Sequence, residues 1–474
     1  MNTVDPAPQP VTLGGLEVIH YFTRFFGNQI RCARAISRRH GNFVFLRNPV
    51  ALAGLPRSVV FAADASLYRE ILGQPHIWRT VNIATATPKN HAARRLTKGI
   101  VSMQGKRHEH YRRLLIPPLR RASVMERSAE MGRVADRATD RWPVDQFVDL
   151  FALVRRLMQD FATTLLFGDD QELGPPIADL IVQAARSSFS LPINAFPLDA
   201  AGTPYSKFLR NSEILEAKIL EWADTKRGEI DVQDLLSIVV NNPDENGNPP
   251  SDELLSGHVP TLFGATYETC QNALIWSLIL IAQHPGVAGD LFDELRGGLN
   301  DGPVTLSAVT ELPLLDAVVK ESLRILPPVP SQFRVAVEDT TLAGHPAEKR
   351  TRALLSAFIT NRTPHLYHDA DRFLPERWQA ISPSQFEYPV FSAGPRSCPG
   401  FYFGTSMVKV ALAAILSRYR IELPSGARIN YKVAITLRPH PLVPARLHPQ
   451  DGAFSAVPLA GMINELVRLP AHHV

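Results

Sequence analysis

The feature that most constrains the fold of this 474-residue chain is a run of 34 residues, 251–284, in which only Pro260 interrupts a helical pattern before Pro285 ends it. Its first residue is a serine, which suits an N-cap, and Asp252 and Glu253 follow in the first turn, where the helix dipole favours negative charge. At 1.5 Å per residue, a helix over this run is about 51 Å long. The sequence therefore predicts one long helix that crosses the interior of the protein.

The rest of the chain predicts a mainly α fold with small β-sheets, an α+β architecture. Apolar residues recur at three- and four-residue spacing in segments such as 150–167 and 212–226, a pattern typical of helices. Two short β-like runs, 43–46 and 59–62, flank a turn-rich segment and predict a strand pair. Neither a repeat period nor a glycine-serine linker divides the chain, which favours one integrated fold.

Composition excludes several classes of protein. Hydrophobic residues make up 45% and charged residues 20% of the chain, values typical of a globular protein. Fifty Lys and Arg against 46 Asp and Glu leave a net charge of +4, which is too small to predict a nucleic-acid-binding protein. The most apolar stretch, 273–282, is too short for a membrane span, and the first residues lack a secretion signal. Because Cys32, Cys270 and Cys398 are too few for a disulfide framework, we expect a cytoplasmic protein.

Cys398 is the residue that most clearly predicts chemistry. It lies in the Gly/Pro-rich loop 391–400, directly before an apolar helical run, 401–416. Backbone N–H groups and the positive end of the helix dipole favour a thiolate there, and a thiolate binds a soft metal. Gly400 permits close approach to a flat ligand, and Phe391 is placed to screen the sulfur from water. The alternative for a lone cysteine is a buried structural thiol.

The loop matches the pattern F-x-x-G-x-R-x-C-x-G of the cytochrome P450 family, which this chain resembles over residues 31–449. The resemblance implies the P450 fold, a single large triangular domain in which the long helix crosses over the haem. A short N-terminal segment, 1–30, precedes that domain. The segment 450–474 follows it as an extension of unknown role, with a possible short helix over 459–469.

The family's E-x-x-R pair corresponds to Glu321 and Arg324, and its P-E-R segment supplies Arg377. Spacing of three residues places the carboxylate and the first guanidinium on one face of a helix, where they can bond. We therefore expect a buried structural triad of these three residues. An isolated E-x-x-R is otherwise a common surface ion pair.

The resemblance also implies haem b (iron protoporphyrin IX) as the cofactor, with Cys398 as the iron ligand. Residues 105–112 resemble the G-x-x-H-x-x-x-R segment of soluble bacterial members, and further arginines match the family's propionate-binding positions. The residues expected to contact the cofactor are Cys398, Arg396, His108, Arg112, Arg334, Phe391, Gly400 and Ala265. For each charged residue taken singly, a solvated surface charge is the alternative.

Residues 265–269 resemble the family's A-G-x-(D/E)-T segment, so Glu268 and Thr269 are the expected catalytic pair. In the family, the acid and the alcohol deliver protons during oxygen activation, a form of general acid catalysis. Thr266 stands where the family usually has glycine, which predicts a tighter groove above the haem.

The activity implied is that of a haem-thiolate monooxygenase that uses O2 to hydroxylate, or otherwise oxidise, a mainly apolar small molecule of secondary, lipid or terpenoid metabolism. Electrons are expected from a separate ferredoxin or flavodoxin with its reductase. The expected docking cations are Arg112, Arg113, Arg120, Arg121 and Lys409. The alternatives are a haem-thiolate isomerase or dehydratase that needs no electrons, and a non-catalytic haem-binding sensor.

By family position, the substrate pocket is expected to draw on segments 78–99, 189–204 and 263–266, and on residues after Pro330 that include Phe333. Asn82 and Thr85 are the polar residues expected within it.

Overall fold

The structure is a computed structural model that describes residues 9–48, 56–81, 87–168, 170, 172–188, 193, 196–229, 234–300 and 302–470. Its α-helices are Gly15–Gly27, Gln29–His40, Ala65–Gly73, Ala92–Arg95, Gly105–Leu115, Arg121–Glu126, Ser128–Thr139, Leu150–Phe167, Gly174–Ser188, Pro204–Lys226, Leu235–Asn241, Asp252–Ala282, Pro285–Leu299, Leu306–Thr310, Pro313–Ile325, Ala357–Thr360, Phe401–Arg418 and Ile463–Leu466. Short 3₁₀ helices are Ile100–Ser102, Pro117–Leu119, Pro375–Gln379, Pro389–Phe391 and Gly394–Arg396. The fold is therefore mainly helical.

The strands form small sheets at the edges of this helical body. They are β1 (Val11–Leu13), β2 (Phe43–Arg47), β3 (Ser58–Ala62), β4 (Trp78–Thr80), β5 (Phe147–Asp149), β6 (Gln332–Ala336), β7 (Thr340–Leu342), β8 (His345–Ala347), β9 (Arg352–Leu355), β10 (Tyr419–Glu422), β11 (Asn430–Val433), β12 (Leu437–His440) and β13 (Pro444–Pro449). The largest sheet has the order β1-β2-β3-β9-β6-β4, and a second has the order β10-β13-β5. Two-stranded pairs join β11 to β12 and β7 to β8.

Several sequence predictions are confirmed. The segment 150–167 is a helix with those bounds, and 212–226 lies within the helix Pro204–Lys226. The predicted strand pair is formed by β2 and β3, which are antiparallel with Phe43 opposite Ala62. The helices were predictable because their apolar residues recur every three or four positions, and the strands because each is a short, continuous apolar run next to turn residues.

The long helix runs from Asp252 to Ala282, with the Ser251 hydroxyl accepting a hydrogen bond from the Leu254 N–H as its N-cap. We call it the central helix. It packs against Leu150–Phe167 and Phe401–Arg418, among other helices, and its second half is almost wholly buried. The predicted passage through the interior is therefore confirmed.

A close contact between the backbones of Gly257 and of residues 98–99 fixes the position of the first half of the central helix. A Cβ atom on Gly257 would lie 2.7 Å from the backbone carbon of Lys98, and a Cβ on Gly99 would lie 2.4 Å from the Gly257 carbonyl oxygen. Since real Cβ atoms do not approach other atoms this closely, only glycine fits on either side of the contact. Neither glycine was predicted to serve packing.

The C-terminal segment is part of the core. Leu459, Ile463 and Leu466 are buried, and the Ile463 N–H donates to the Ile429 carbonyl oxygen at 3.0 Å. The helix predicted over 459–469 is wrong in its extent, because the structure has one turn only, Ile463–Leu466. Extended backbone on either side makes hydrogen bonds to neighbouring loops in place of a longer helix.

Among the described residues, no single helix is both long and apolar enough to cross a membrane. The central helix and the next one, Pro285–Leu299, meet that criterion only together, and they are bent by 111° at the break between them.

His258 predicts a pH dependence of stability. This side chain of the central helix is fully buried, and burial lowers its pKa to about 4, against an ordinary 6.5. Between those values the unfolded chain binds a proton that the folded chain does not, so stability falls as pH falls from about 6.5 towards 4. We expect His258→Phe to remove about 2 to 3 kcal/mol of the stability difference between pH 7 and pH 4.5, measured by urea unfolding.

The control is His20→Gln, because His20 is exposed. An unchanged pH dependence in His258→Phe, or an equal change in the control, would contradict this assignment.

Candidate active site between the cysteine loop and the central helix

One cavity of about 330 Å³ is lined by residues of the central helix and of the cysteine loop. Ala265, Thr266 and Thr269 come from the helix, and Phe391, Cys398 and Gly400 come from the loop. Leucine, valine, alanine and proline residues make up most of the remaining wall. The structure thus brings together two motifs that lie about 130 residues apart in the sequence.

Cys398 lies just before the helix Phe401–Arg418, and its N–H donates to the Phe391 carbonyl oxygen at 2.8 Å. Its side chain is exposed in the cavity that it lines. Burial raises the pKa of this thiol, although the Gly400 N–H and the charge of Arg112 lower it. The Gly400 N–H acts in the direction expected from the helix start, and desolvation opposes it. A bound metal cation supplies the charge that deprotonates such a thiol.

A cationic cluster lies beside the cysteine loop. It consists of His108 and Arg112 on the helix Gly105–Leu115, Arg334 on β6 and Arg396 in the loop. Its arginines hydrogen bond to neutral acceptors. Arg334 donates to Gln332 Oε1 at 3.1 Å, Arg396 to Gln104 Oε1 at 2.9 Å, and Arg112 to Ser397 Oγ at 3.3 Å.

The members of this cluster lower one another's pKa. Burial and the charge of Arg396 lower the pKa of Arg334 to about 10, and burial and Arg112 do the same for Arg396. Burial and both neighbouring arginines lower the pKa of His108 to about 4, so its imidazole is neutral at pH 7. Among the described residues, no carboxylate forms an ion pair with these three arginines. The cluster is therefore an environment that favours an anion.

These observations fit haem. A flat, largely apolar macrocycle suits a cavity lined by aliphatic side chains and by Gly400. Two propionates suit a partly buried group of guanidiniums that no carboxylate neutralises. Cys398 would hold the iron, Arg112, Arg334 and Arg396 would hold the propionates, and His108 would be a neutral hydrogen-bonding partner.

The expected catalytic pair is divided between two faces of the central helix. Thr269 lines the cavity, and its hydroxyl donates to the Ala265 carbonyl oxygen at 2.7 Å. Glu268 is half-buried on the adjacent face, where its Oε1 accepts a hydrogen bond of 2.6 Å from the hydroxyl of Thr436. A one-residue step rotates a helix by about 100°, so the two side chains diverge.

The expected triad is assembled around Glu321, which is wholly buried. Arg324 donates to both carboxylate oxygens, at 2.8 and 2.9 Å, and Arg377 donates to Oε1 at 3.0 Å. The Trp378 indole N–H and the Leu374 N–H complete the set of donors, each at 3.0 Å. These bonds lower the pKa of the Glu321 carboxyl although burial raises it.

Two further residues bond to this triad and were not predicted from the sequence. Trp378 follows Arg377 directly, and its bond to the carboxylate has no signature in the family pattern. Asn361 is the second, because its side chain donates to the Arg324 carbonyl oxygen at 3.0 Å. Asn361 lies 37 residues further along the chain than Arg324, too far for a local pattern to indicate the contact.

Three of the five expected docking cations are exposed on the surface, and two are not. Arg113, Arg120 and Arg121 are exposed, whereas Arg112 belongs to the cationic cluster. The prediction that Lys409 is a docking cation is wrong, because its side chain is largely buried and its ammonium group pairs with Asp316 at 2.5 Å. It does not offer a free charge to a partner protein.

The pocket predictions agree in part with the cavity. Thr266 lines it, as expected. Phe333 instead packs edge to face against Phe25, with ring centroids 5.9 Å apart. Trp78 is buried in β4, a strand of the largest sheet. Asn82 and Thr85 lie outside the described residues.

Comparison with known proteins identifies relatives that match most of the chain. A family model described as Cytochrome P450 matches residues 34–443. Pentalenene oxygenase of Streptomyces avermitilis is 25% identical over 422 residues, which cover 85% of this chain and 89% of that protein. Cyclooctatin synthase of Streptomyces melanosporofaciens is 26% identical over 418 residues, with coverage of 85% and 88%.

A further relative matches over a shorter region, and a solved structure matches in fold. The cytochrome P450 monooxygenase sphH of Aspergillus fumigatus is 34% identical over 234 residues, which are 46% of this chain and 42% of that protein. The structure of retinoic acid bound cyanobacterial CYP120A1 superposes with a TM-score of 0.77 at 22% identity, covering 94% of this chain and 99% of the other.

Proposed function

This chain belongs to the cytochrome P450 family and is a haem-binding monooxygenase, and we propose on that premise that it oxidises an apolar secondary metabolite of terpenoid or lipid character at the cavity between Cys398 and Thr269. The observation that carries the proposal is that the thiol of Cys398, the hydroxyl of Thr269 and Arg396 of the cationic cluster line one largely apolar cavity.

When bound, the haem supplies activation of O2, with one oxygen atom entering the substrate and the other leaving as water. The chain's own residues hold and surround it. We propose that Cys398 provides the thiolate and that Arg112, Arg334 and Arg396 neutralise the propionates, because an unpaired buried carboxylate is costly.

Thr269 and Glu268 are proposed to move protons. The Thr269 hydroxyl lies at the cavity wall, where it can pass a proton inwards, and the half-buried Glu268 lies one residue away with access towards solvent. Proton transfer by positioned side chains of this kind typically contributes 10²- to 10⁴-fold to a rate.

The substrate class is proposed from the cavity and from the relatives. Aliphatic walls favour an apolar ligand. The relatives named pentalenene oxygenase and cyclooctatin synthase suggest a terpenoid. Thr266, in place of the usual glycine, narrows the groove and adds a hydroxyl that a polar atom of the substrate can contact.

We propose that a separate ferredoxin or flavodoxin, with its reductase, supplies the electrons. The exposed Arg113 lies on the helix that carries Arg112, and the exposed Arg120 and Arg121 follow that helix. These three residues offer an acidic partner a steering surface.

The test of this function is a terpenoid turnover assay with a surrogate ferredoxin, its reductase and ¹⁸O2. We expect reductant-dependent product that contains one labelled oxygen atom. Thr269→Ala should release peroxide in place of most of the product, because proton delivery fails. Turnover without reductant would indicate an isomerase or dehydratase instead, and full coupling in Thr269→Ala would contradict the proton role.

The propionate assignment predicts a loss of haem affinity. Arg396→Met removes one charge-assisted hydrogen bond, which is typically worth about 1.5 to 3 kcal/mol. Haem should therefore pass to an excess of a haem-capturing apoprotein about 10 to 100 times faster. Arg94→Gln is the matched control, since Arg94 is exposed and outside the cluster. Equal rates for the two variants would refute the assignment.

A further inference from the structure

We propose that Thr436 is the positioning residue that holds Glu268 for proton delivery, an inference that rests on the proposed function. Thr436 lies between β11 and β12, at the tip of a hairpin 168 residues further along the chain. Nothing in the motifs around the cysteine or the central helix assigns it a role.

The contact is short and protected. The Thr436 hydroxyl donates to Glu268 Oε1 at 2.6 Å, and only 3% of the Thr436 residue is exposed. Hydrogen bonds to an ionised carboxylate are about twice as strong as neutral ones. Among the ion pairs formed by the described residues, none includes Glu268, so the hydroxyl is the polar contact that sets this carboxylate's direction.

Hydrogen bonds from three other segments hold the hairpin that bears the Thr436 hydroxyl. The Trp276 indole N–H, two turns beyond Glu268 on the central helix, donates to the Leu437 carbonyl oxygen at 3.0 Å. The Leu437 N–H donates to the Pro328 carbonyl oxygen at 2.8 Å, and the Gln29 side chain donates to Ala434 at 3.1 Å. Thr436 is thus held from both sides, and its hydroxyl has little freedom to leave the carboxylate.

The C-terminal segment supports the same hairpin. The Met462 N–H donates to the side-chain oxygen of Asn430, the first residue of β11, at 3.0 Å. The Ile429 N–H donates to the Ala460 carbonyl oxygen at 2.9 Å. Glu268 is therefore positioned through a hairpin that residues outside the family match hold in place.

The experiment compares Thr436→Val, which keeps the shape and loses the hydroxyl, with Thr436→Ser, which keeps the hydroxyl. In the haem-loaded protein we expect Thr436→Val to lower kcat about 10- to 100-fold and to raise the peroxide released per reductant consumed. Thr436→Ser should stay within about threefold of wild type, and the exposed hairpin variant Lys432→Gln should match wild type.

Readouts other than turnover separate positioning from a general structural role. Substrate affinity by spectral titration should change less than about twofold in Thr436→Val. The stretching band of carbon monoxide on the reduced haem should broaden as Glu268 becomes mobile, and Thr436→Ser should restore it. Added to Glu268→Gln, Thr436→Val should cause little further loss, because both act on one carboxylate.

The outcomes are distinct. Absence of reductant-dependent turnover in the wild type would overturn the proposed function, and this inference with it. An active wild type whose Thr436→Val variant couples normally, or a full additive loss in the double variant, would overturn the inference alone. Should Thr436→Val fail to fold, as judged by circular dichroism and haem content, Thr436→Ala is the second variant, with the same expected results.

Discussion

Replacing Cys398 by serine is expected to abolish monooxygenase turnover and the shifted absorption band that a thiolate ligand gives to the reduced carbon monoxide complex. Serine preserves the size of the side chain and the loop hydrogen bond made by the residue's N–H, but a hydroxyl is a far poorer donor of electron density to iron. The loss should exceed the roughly 10- to 100-fold that removing an outer partner of a metal ligand costs. Difference spectroscopy and turnover measure it.

Cys270→Ser is the matched control. Cys270 also lines the cavity, but it lies on the central helix, and burial raises the pKa of its thiol to about 12. This variant should keep the shifted band. A band retained by Cys398→Ser, or lost only by Cys270→Ser, would overturn the ligand assignment.

Glu321→Gln should destabilise the protein by about 3 to 5 kcal/mol, the typical cost of removing one partner from a buried charge network. Arg324 and Arg377 are as buried as the glutamate, and the substitution leaves both guanidiniums without a negative charge. Glutamine keeps one oxygen acceptor but cannot accept at both positions as a carboxylate does. Urea unfolding of the haem-loaded protein at pH 7 measures the difference.

The control is Asp293→Asn, which breaks the exposed i,i+3 pair with Arg296. Exposed pairs of this kind contribute about 0 to 1 kcal/mol. If Glu321→Gln were no more destabilising than this control, the triad would not be a structural support.

Much of the fold and of the cavity follows from local signals. The central helix is readable from a cap, two acids and an apolar run, and the cysteine loop from a pattern of ten residues. Cys398 and Thr269 were assigned to one site because the resemblance supplies the juxtaposition that spacing alone does not.

What could not be predicted depends on contacts between distant segments. The hydrogen bond from Thr436 to Glu268 joins residues 168 positions apart, and no local sequence pattern at either residue indicates the other. The direction of the Cys398 pKa has the same cause: the helix N-terminus can be read from the sequence, but the extent of desolvation cannot. The prediction for Lys409 failed for a similar reason, because its partner Asp316 lies on another helix.

The backbone hydrogen bonds between residues 458–463 and 426–429 matter for any attempt to shorten this enzyme. The family match ends at residue 443, but the residues after it contribute to the fold. We expect a chain cut after residue 443 to lose β13 and the contacts that hold the β11–β12 hairpin, and with them the support for the bond from Thr436 to Glu268.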